Sequence, residues 1–134
     1  MVFQLSFSIA RSDARRVVLG AHKFAPNGSG FGAAHPDLIF NGGAPSGAVR
    51  NIHWSNWGGK VTKARGLGAG YKPSGGYYAK PIKIRLRADR IRRCRPHGPL
   101  AYTRLLVKAE KKPGTGDFTR WLRWSGAKTI CSTY

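Results

Sequence analysis

Apolar and cationic residues alternate strictly between positions 81 and 88, which is the clearest period in the chain. The apolar positions are Ile82, Ile84, Leu86 and Ala88, and the cationic positions between them are Lys83, Arg85 and Arg87. A period of two predicts a strand with one buried face and one cationic face. Residues 101–109 predict its antiparallel partner. The inward positions of that partner are Thr103, Leu105 and Val107, and the outward ones are Tyr102, Arg104 and Lys108.

Shorter segments of similar character flank this pair. Residues 49–57 place Ile52 and Trp54 on one face, and the Gly58-Gly59 dipeptide predicts a two-residue hairpin turn into residues 60–70. A last strand, predicted over residues 118–124, carries Phe118, Leu122 and Trp124 on one face and Trp121 and Arg123 on the other. The 18 Gly and 8 Pro favour short elements joined by turns. The pattern predicts an all-β fold, a small antiparallel β-sandwich or barrel.

The first third of the chain has a different character. Phe3, Leu5, Phe7 and Ile9 alternate with polar residues as in a half-buried strand. Ser12 is placed to cap a short helix that ends near Gly20. Residues 25–34 are rich in Gly, Ser and Pro, which predicts a flexible connection. We therefore expect an irregular arm over residues 1–34, partly disordered or a misassigned leader, and a single β-rich domain over residues 35–134.

The net charge of the chain indicates the class of its partner. The 134-residue chain has 24 Lys and Arg against 5 acids, a formal net charge of +19, and residues 38–88 contain no acid. Such an imbalance favours a polyanionic partner, either a cell-wall polymer or nucleic acid. Clustered cations on one sheet face repel each other, which favours a bound anion over a merely solvated face. The predicted polyanion-binding residues are Lys83, Arg85, Arg87, Arg90, Arg92, Arg93, Arg104 and Lys108.

Tyrosines are interleaved with these cations. Aromatic rings beside a basic surface are typical of proteins that bind single-stranded nucleic acid, because bases stack on the rings. Tyr71, Tyr77 and Tyr78 fall in the turn-rich stretch GYKPSGGYY, where exposure is expected. These three and Tyr102 are the predicted stacking residues, whereas the tryptophans are expected in the core.

Catalytic and metal signatures are weak. The five acids are scattered, so no carboxylate pair is predicted for acid and base catalysis. His53 and His97 with a nearby cation would suffice for a metal-free ribonuclease, although their spacing does not support it. The sequence RGLGAGYK lacks the third glycine of a dinucleotide fingerprint. Neither cysteine belongs to a CxxC motif, so zinc is not expected. We therefore predict no catalytic residues, no metal and no cofactor.

The cellular address is ambiguous from the residues. The N-terminus lacks the basic segment of a signal peptide, and no apolar run approaches the roughly 18 residues of a transmembrane helix. Cys94 and Cys131 are expected to form a disulfide if the protein is exported and to stay as buried thiols otherwise.

Several motifs resemble a known family. HWSNWGG at 53–59, continuing as KVTKARGLGAG, is accompanied by PSGAV at 45–49 and CRPHGPLAYTRLLV at 94–107. These segments resemble small secreted actinobacterial proteins of unassigned function, over about residues 35–124. The resemblance implies a β-rich fold and a secreted or cell-wall-associated address, and it implies no activity.

Three functions follow as hypotheses. The first is a non-enzymatic basic β-domain that binds an anionic polymer or surface outside the cytoplasm. The second is a cytoplasmic nucleic-acid-binding protein, for example a ribosome-associated one. The third is a small metal-free ribonuclease toxin.

Overall fold

The structure, a computed structural model, describes residues 16–133, and within that range the protein is almost entirely β. Its strands are β1 (Val18–Leu19), β2 (Ile39–Phe40), β3 (Ala48–Ser55), β4 (Thr62–Gly68), β5 (Ile82–Arg93), β6 (Leu100–Ala109) and β7 (Leu122–Arg123). Short 3₁₀ helices cover His22–Phe24, Pro45–Gly47 and Trp124–Gly126. No helix in this range is long and apolar enough to cross a membrane.

The strands form one curled sheet in the order β1-β6-β5-β4-β3-β2, with β7 also paired to β6. Strand β1 runs parallel to β6, and every other named pair is antiparallel. The mixed sheet curves into a half-barrel whose concave side holds the hydrophobic core. The predicted all-β, barrel-like class is confirmed.

The predicted central hairpin is present as β5 and β6. Ile84 lies opposite Ala109, Leu86 opposite Val107 and Ala88 opposite Leu105, so one face of both strands packs into the core. The alternation ends at Ala88, because the next residue, Asp89, is also buried and Arg90 has a φ of 59°. A left-handed residue at this point re-aims the side chains that follow it.

The hairpin of β3 and β4 is also present, but its turn is longer than predicted. Six residues, 56–61, join the strands instead of a two-residue Gly-Gly turn, and the Asn56 side chain donates to the Val61 carbonyl across it. A register shift in β3 follows Asn51, whose φ is 54°. Gly66 of β4 lies against Val49, since a Cβ there would stand 2.6 Å from Val49 Cγ1.

Tyr102 is buried beneath that turn, which corrects its predicted outward position. Its hydroxyl donates to the Gly59 carbonyl at 2.6 Å and accepts from the Gly58 N–H at 2.8 Å. Its ring packs edge-on against Trp57, with the centroids 5.0 Å apart. Alternation missed this because Tyr102 satisfies its polar end inside the fold.

The first and last strands of the sheet differ from those predicted from the sequence. Within the predicted helix over residues 12–20, Val18–Leu19 instead forms β1 against Ala101 and Tyr102, because pairing to the free edge of β6 satisfies the backbone there. The predicted last strand shrinks to Leu122–Arg123, since Trp124 begins a 3₁₀ helix and its indole donates to Asn41. The predicted strand at Phe3 to Ile9 lies outside the described residues.

The described part of the predicted arm belongs to the core. Buried side chains from residues 16–34 are Val17, Leu19, Phe24, Ala25 and Phe31. The Trp57 indole donates to the Val17 carbonyl at 3.1 Å, and the Phe24 and Phe31 rings meet at 4.9 Å. The Gly-rich stretch therefore folds back over the sheet and does not separate two parts of the described chain. Residues 1–15 lie outside this description.

A disulfide closes the fold at one end. Cys94, just after β5, is bonded to Cys131. Ile130, which precedes Cys131, is buried. Its N–H donates to the Thr103 carbonyl, and its carbonyl accepts from the Ala21 N–H. The C-terminal segment thus fastens β6 to the segment after β1, and the predicted disulfide is confirmed.

Candidate functional site

A row of basic side chains crosses four adjacent strands on the outer face of the half-barrel. His53 of β3 lies opposite Arg65 of β4, Arg65 lies opposite Arg85 of β5, and Arg85 lies opposite Lys108 of β6. Directly opposed residues share a sheet face, and strands lie about 4.8 Å apart, so this row is about 14 Å long. Lys63 lies opposite Arg87 in the next row.

These side chains line a groove of about 510 Å³. We call it the basic groove and define it by His53, Lys63, Arg65, Arg85, Lys108, Phe118 and Trp121. A second depression of about 400 Å³ continues it toward Lys83 and shares His53, Arg65 and Arg85 with it. Among residues 16–133, no Asp or Glu lines either depression.

Two aromatic rings stand beside the cations at one end of the row. The Arg85 guanidinium lies 5.1 Å from the centre of the Phe118 ring. The Lys108 ammonium lies 5.0 Å from the Trp121 ring and 5.7 Å from Phe118. Cation–π attraction at such distances holds both cations beside the rings. Phe118 and Trp121, predicted on opposite faces of one strand, therefore meet at the same site.

The Asp89 carboxylate pairs with two of the predicted polyanion-binding residues. Arg104 donates through Nε and Nη2 to both Asp89 oxygens, at 2.7 and 2.5 Å. Arg87 Nε lies 3.6 Å from Asp89, an ion-pair distance that is too long for a hydrogen bond. The hydrogen bonds from Arg104 hold the Asp89 pKa below its usual value, and the same bonds raise the pKa of Arg104. Arg104 is thus neutralised within the protein.

The remaining predicted cations divide by position. Lys83 is exposed on the same outer face and lines the second depression. Arg90, Arg92 and Arg93 are exposed at the far end of β5, beyond the left-handed Arg90, and outside both depressions. The Arg93 guanidinium also donates to the Gly98 carbonyl. The groove therefore includes Arg85 and Lys108 from the predicted set and excludes this terminal run.

The predicted stacking tyrosines are not in the basic groove. Tyr71 and Tyr77 stack on each other with their centroids 4.4 Å apart, and the Tyr77 hydroxyl donates to the Tyr71 hydroxyl at 2.9 Å. This hydrogen bond moves the pKa values of the two hydroxyls in opposite directions. Tyr71 borders a cavity of about 550 Å³ on the other face, whose lining includes the core residues Val49, Ile82 and Ile84. Tyr78 lies in the same loop, and Tyr102 is buried, where loss of hydration raises its pKa.

The two histidines of the ribonuclease hypothesis are not brought together. His53 is level with Arg85, whereas His97 follows Arg93, eight residues further along β5. At about 3.3 Å per residue that distance along the strand is about 26 Å. A shared catalytic site needs hydrogen-bond reach, which this arrangement does not provide. Within the described residues, no three His, Cys, Asp or Glu are grouped as metal ligands.

Sequence reasoning missed Lys63, Arg65, Phe118 and Trp121 as binding residues, and it considered His53 only in the ribonuclease hypothesis. The first two carry a readable signal, because they alternate with the small residues Thr62, Ala64 and Gly66. Extending the cationic face of β5 onto this neighbouring strand would have found them. The two aromatic residues carry no such signal, since the loop after β6 brings them to the groove and strand alternation does not.

No protein family, curated protein or solved structure matches the chain. The resemblance to small secreted actinobacterial proteins therefore stays a prediction.

Proposed function

We propose that the protein binds a linear polyanion along the basic groove and is not an enzyme. The observation that carries this proposal is the unbroken row His53, Arg65, Arg85 and Lys108, which no acid within residues 16–133 interrupts at the groove. A polymer with regularly spaced negative charges matches a row about 14 Å long better than a single small anion does.

Electrostatic repulsion among the groove cations of the free protein supports the proposal that the groove binds an anion. Like charges that face each other across strands are destabilising, and the row contains Arg65 opposite Arg85 and Arg85 opposite Lys108. Elsewhere the fold relieves such repulsion, as Asp89 does for Arg104 and Arg87. In the part of the chain that the structure describes, no acid relieves the repulsion among the groove cations, which is the arrangement expected of a binding surface.

An oxidising compartment is part of the proposal. Disulfides persist outside the cytoplasm and are rare within it. The Cys94–Cys131 bond therefore favours an extracytoplasmic, secreted or cell-wall-associated protein over the cytoplasmic alternative. Thiol labelling of protein isolated from its native source tests this point: unreactive cysteines are expected, and two labelled thiols would contradict it.

The salt dependence of binding tests the proposal. The triple variant Lys63→Gln/Arg65→Gln/Arg85→Gln removes three groove charges, and Lys23→Gln/Lys112→Gln/Lys128→Gln removes three exposed charges elsewhere. With inorganic polyphosphate as the probe, the slope of log affinity against log salt is expected to fall by about two to three in the groove variant. It should stay near the wild-type value in the control. Equal slopes in the two variants would refute binding in the groove.

A further inference from the structure

Trp121 differs from the other three tryptophans in how its indole N–H is used. Trp54, Trp57 and Trp124 donate to Pro36 O at 2.7 Å, Val17 O at 3.1 Å and Asn41 Oδ1 at 2.9 Å. The Trp121 N–H has no hydrogen-bond acceptor among residues 16–133, and its side chain is only partly buried. Tryptophans placed for packing normally pair this donor. Trp121 is therefore placed to offer its ring and its donor to a ligand.

The location of Trp121 indicates what that ligand carries. Its ring lies beside Lys108, and the Phe118 ring lies beside both Lys108 and Arg85. A ligand at this end of the groove meets two partly buried aromatic rings and the two cations that lie over them. Anionic groups suit the cations, and planar rings suit the aromatic faces.

We propose that the polyanion is a single-stranded nucleic acid and that one base stacks at Trp121 and Phe118 while the backbone follows the basic row. This inference rests on the proposed function and names its ligand. Polyphosphate and glycerol-phosphate polymers supply charge without planar rings. A duplex supplies phosphates but keeps its base faces stacked inside. Only a single strand presents phosphates and free base faces together.

The continuation of the groove supports a strand that extends past one nucleotide. The second depression leads from Arg85 and Arg65 to Lys83, so the cationic path runs on along the sheet from the aromatic end. Binding sites for single strands combine such a path with a small number of stacking rings. The cations of the path contact the phosphates. The ring pair adds stacking energy, which requires a base but does not discriminate between base sequences.

Fluorescence anisotropy with labelled oligothymidylate tests this inference against an abasic oligomer with the same number of phosphates. The wild-type protein is expected to bind the base-bearing strand about 5- to 150-fold more tightly, the factor that one stacked base gives. Trp121→Leu should reduce that ratio toward one, because the substitution removes the stacking ring and no charge. Tyr71→Leu is the matched control, because Tyr71 is 59% exposed and lies outside the groove, and it should preserve the ratio.

The outcomes separate the two proposals. Equal affinity for base-bearing and abasic strands, with both lost in the Lys63, Arg65 and Arg85 variant, would overturn the nucleic-acid inference and leave polyanion binding intact. Tighter binding of a duplex than of a single strand with equal phosphates would also overturn the inference. Failure of every polyanion to bind through the groove would overturn both.

Discussion

Arg85 and Lys108 lie directly opposite each other on β5 and β6, and both cations face the Phe118 ring, at 5.1 and 5.7 Å from its centre. Two like charges are thereby held together by one aromatic side chain and not by an acid. The ring attracts each cation without cancelling its charge. The pair therefore remains available to an anion, in contrast to Arg104, whose charge is neutralised by Asp89.

Repulsion within the row predicts that Arg65→Gln stabilises the free protein at low salt. Arg65 lies between His53 and Arg85 and has no ion-pair partner among residues 16–133. Its removal is expected to raise the free energy of unfolding by up to about 0.5 kcal/mol, and salt should screen away the gain. Urea denaturation at two ionic strengths measures this. A loss of stability at low salt would show that the row is not under electrostatic strain.

The ion pair between Asp89 and Arg104 predicts how the free energy of unfolding depends on pH. Because Arg104 lowers the Asp89 pKa below 3.8 in the folded protein, this carboxylate stabilises the fold above that pH. The contribution is lost as the pH falls through the depressed pKa. Asp89→Asn should therefore cost about 1 to 3 kcal/mol near neutrality, and the difference from wild type should shrink below about pH 4. Unfolding free energies across this range check it; a difference independent of pH would contradict the pairing.

The hydroxyl of Tyr102 is expected to contribute to stability through the turn above it. Tyr102→Phe leaves the Gly58 N–H and the Gly59 carbonyl without their partner, at a cost of about 1 to 3 kcal/mol. Tyr78→Phe, in the exposed loop, serves as the control and should change stability by less than about 0.5 kcal/mol. Thermal and urea unfolding of both variants measure the difference. Equal losses of stability in the two variants would mean that the buried Tyr102 hydroxyl does not stabilise the fold.

The disulfide is expected to account for a large share of the stability. In the chain-entropy model, a cross-link between residues 37 apart stabilises the folded state by about 3 to 4 kcal/mol. Cys94→Ser/Cys131→Ser should lose that amount in urea denaturation, and the reduced wild-type protein should behave like the double variant. A loss below about 1 kcal/mol would show that Ile130 and its hydrogen bonds hold the C-terminal segment without the bond.

The fold was predictable where strand alternation decides it. The faces of Ile82 to Ala88 and of Thr62 to Gly68 followed from the period of two, because each strand has one side in the core. Alternation failed at Asn51 and Arg90, where a left-handed residue changes the side-chain direction. Such bends depend on tertiary contacts that a single sequence does not display.

The site was predictable only in its charge. Arg85 and Lys108 were identified from one strand pair, but the order of strands in the sheet was needed to bring Arg65 and Lys63 beside them. Asp89 shows the opposite limit, since its position between Ala88 and Arg90 gave no sign that it would be buried against Arg104. Tyr71 and Tyr77 were assigned from their place in a turn-rich stretch, and the stacking of one ring on the other depends on the loop conformation.

Amide chemical-shift mapping with inorganic polyphosphate tests most directly whether the anion lies on the outer face of the half-barrel. The account predicts that the largest shift changes fall on the strands beneath His53, Arg65, Arg85 and Lys108, with smaller changes at the loop that holds Phe118 and Trp121. Changes centred on Arg92 and Arg93, or spread evenly over the surface, would contradict it.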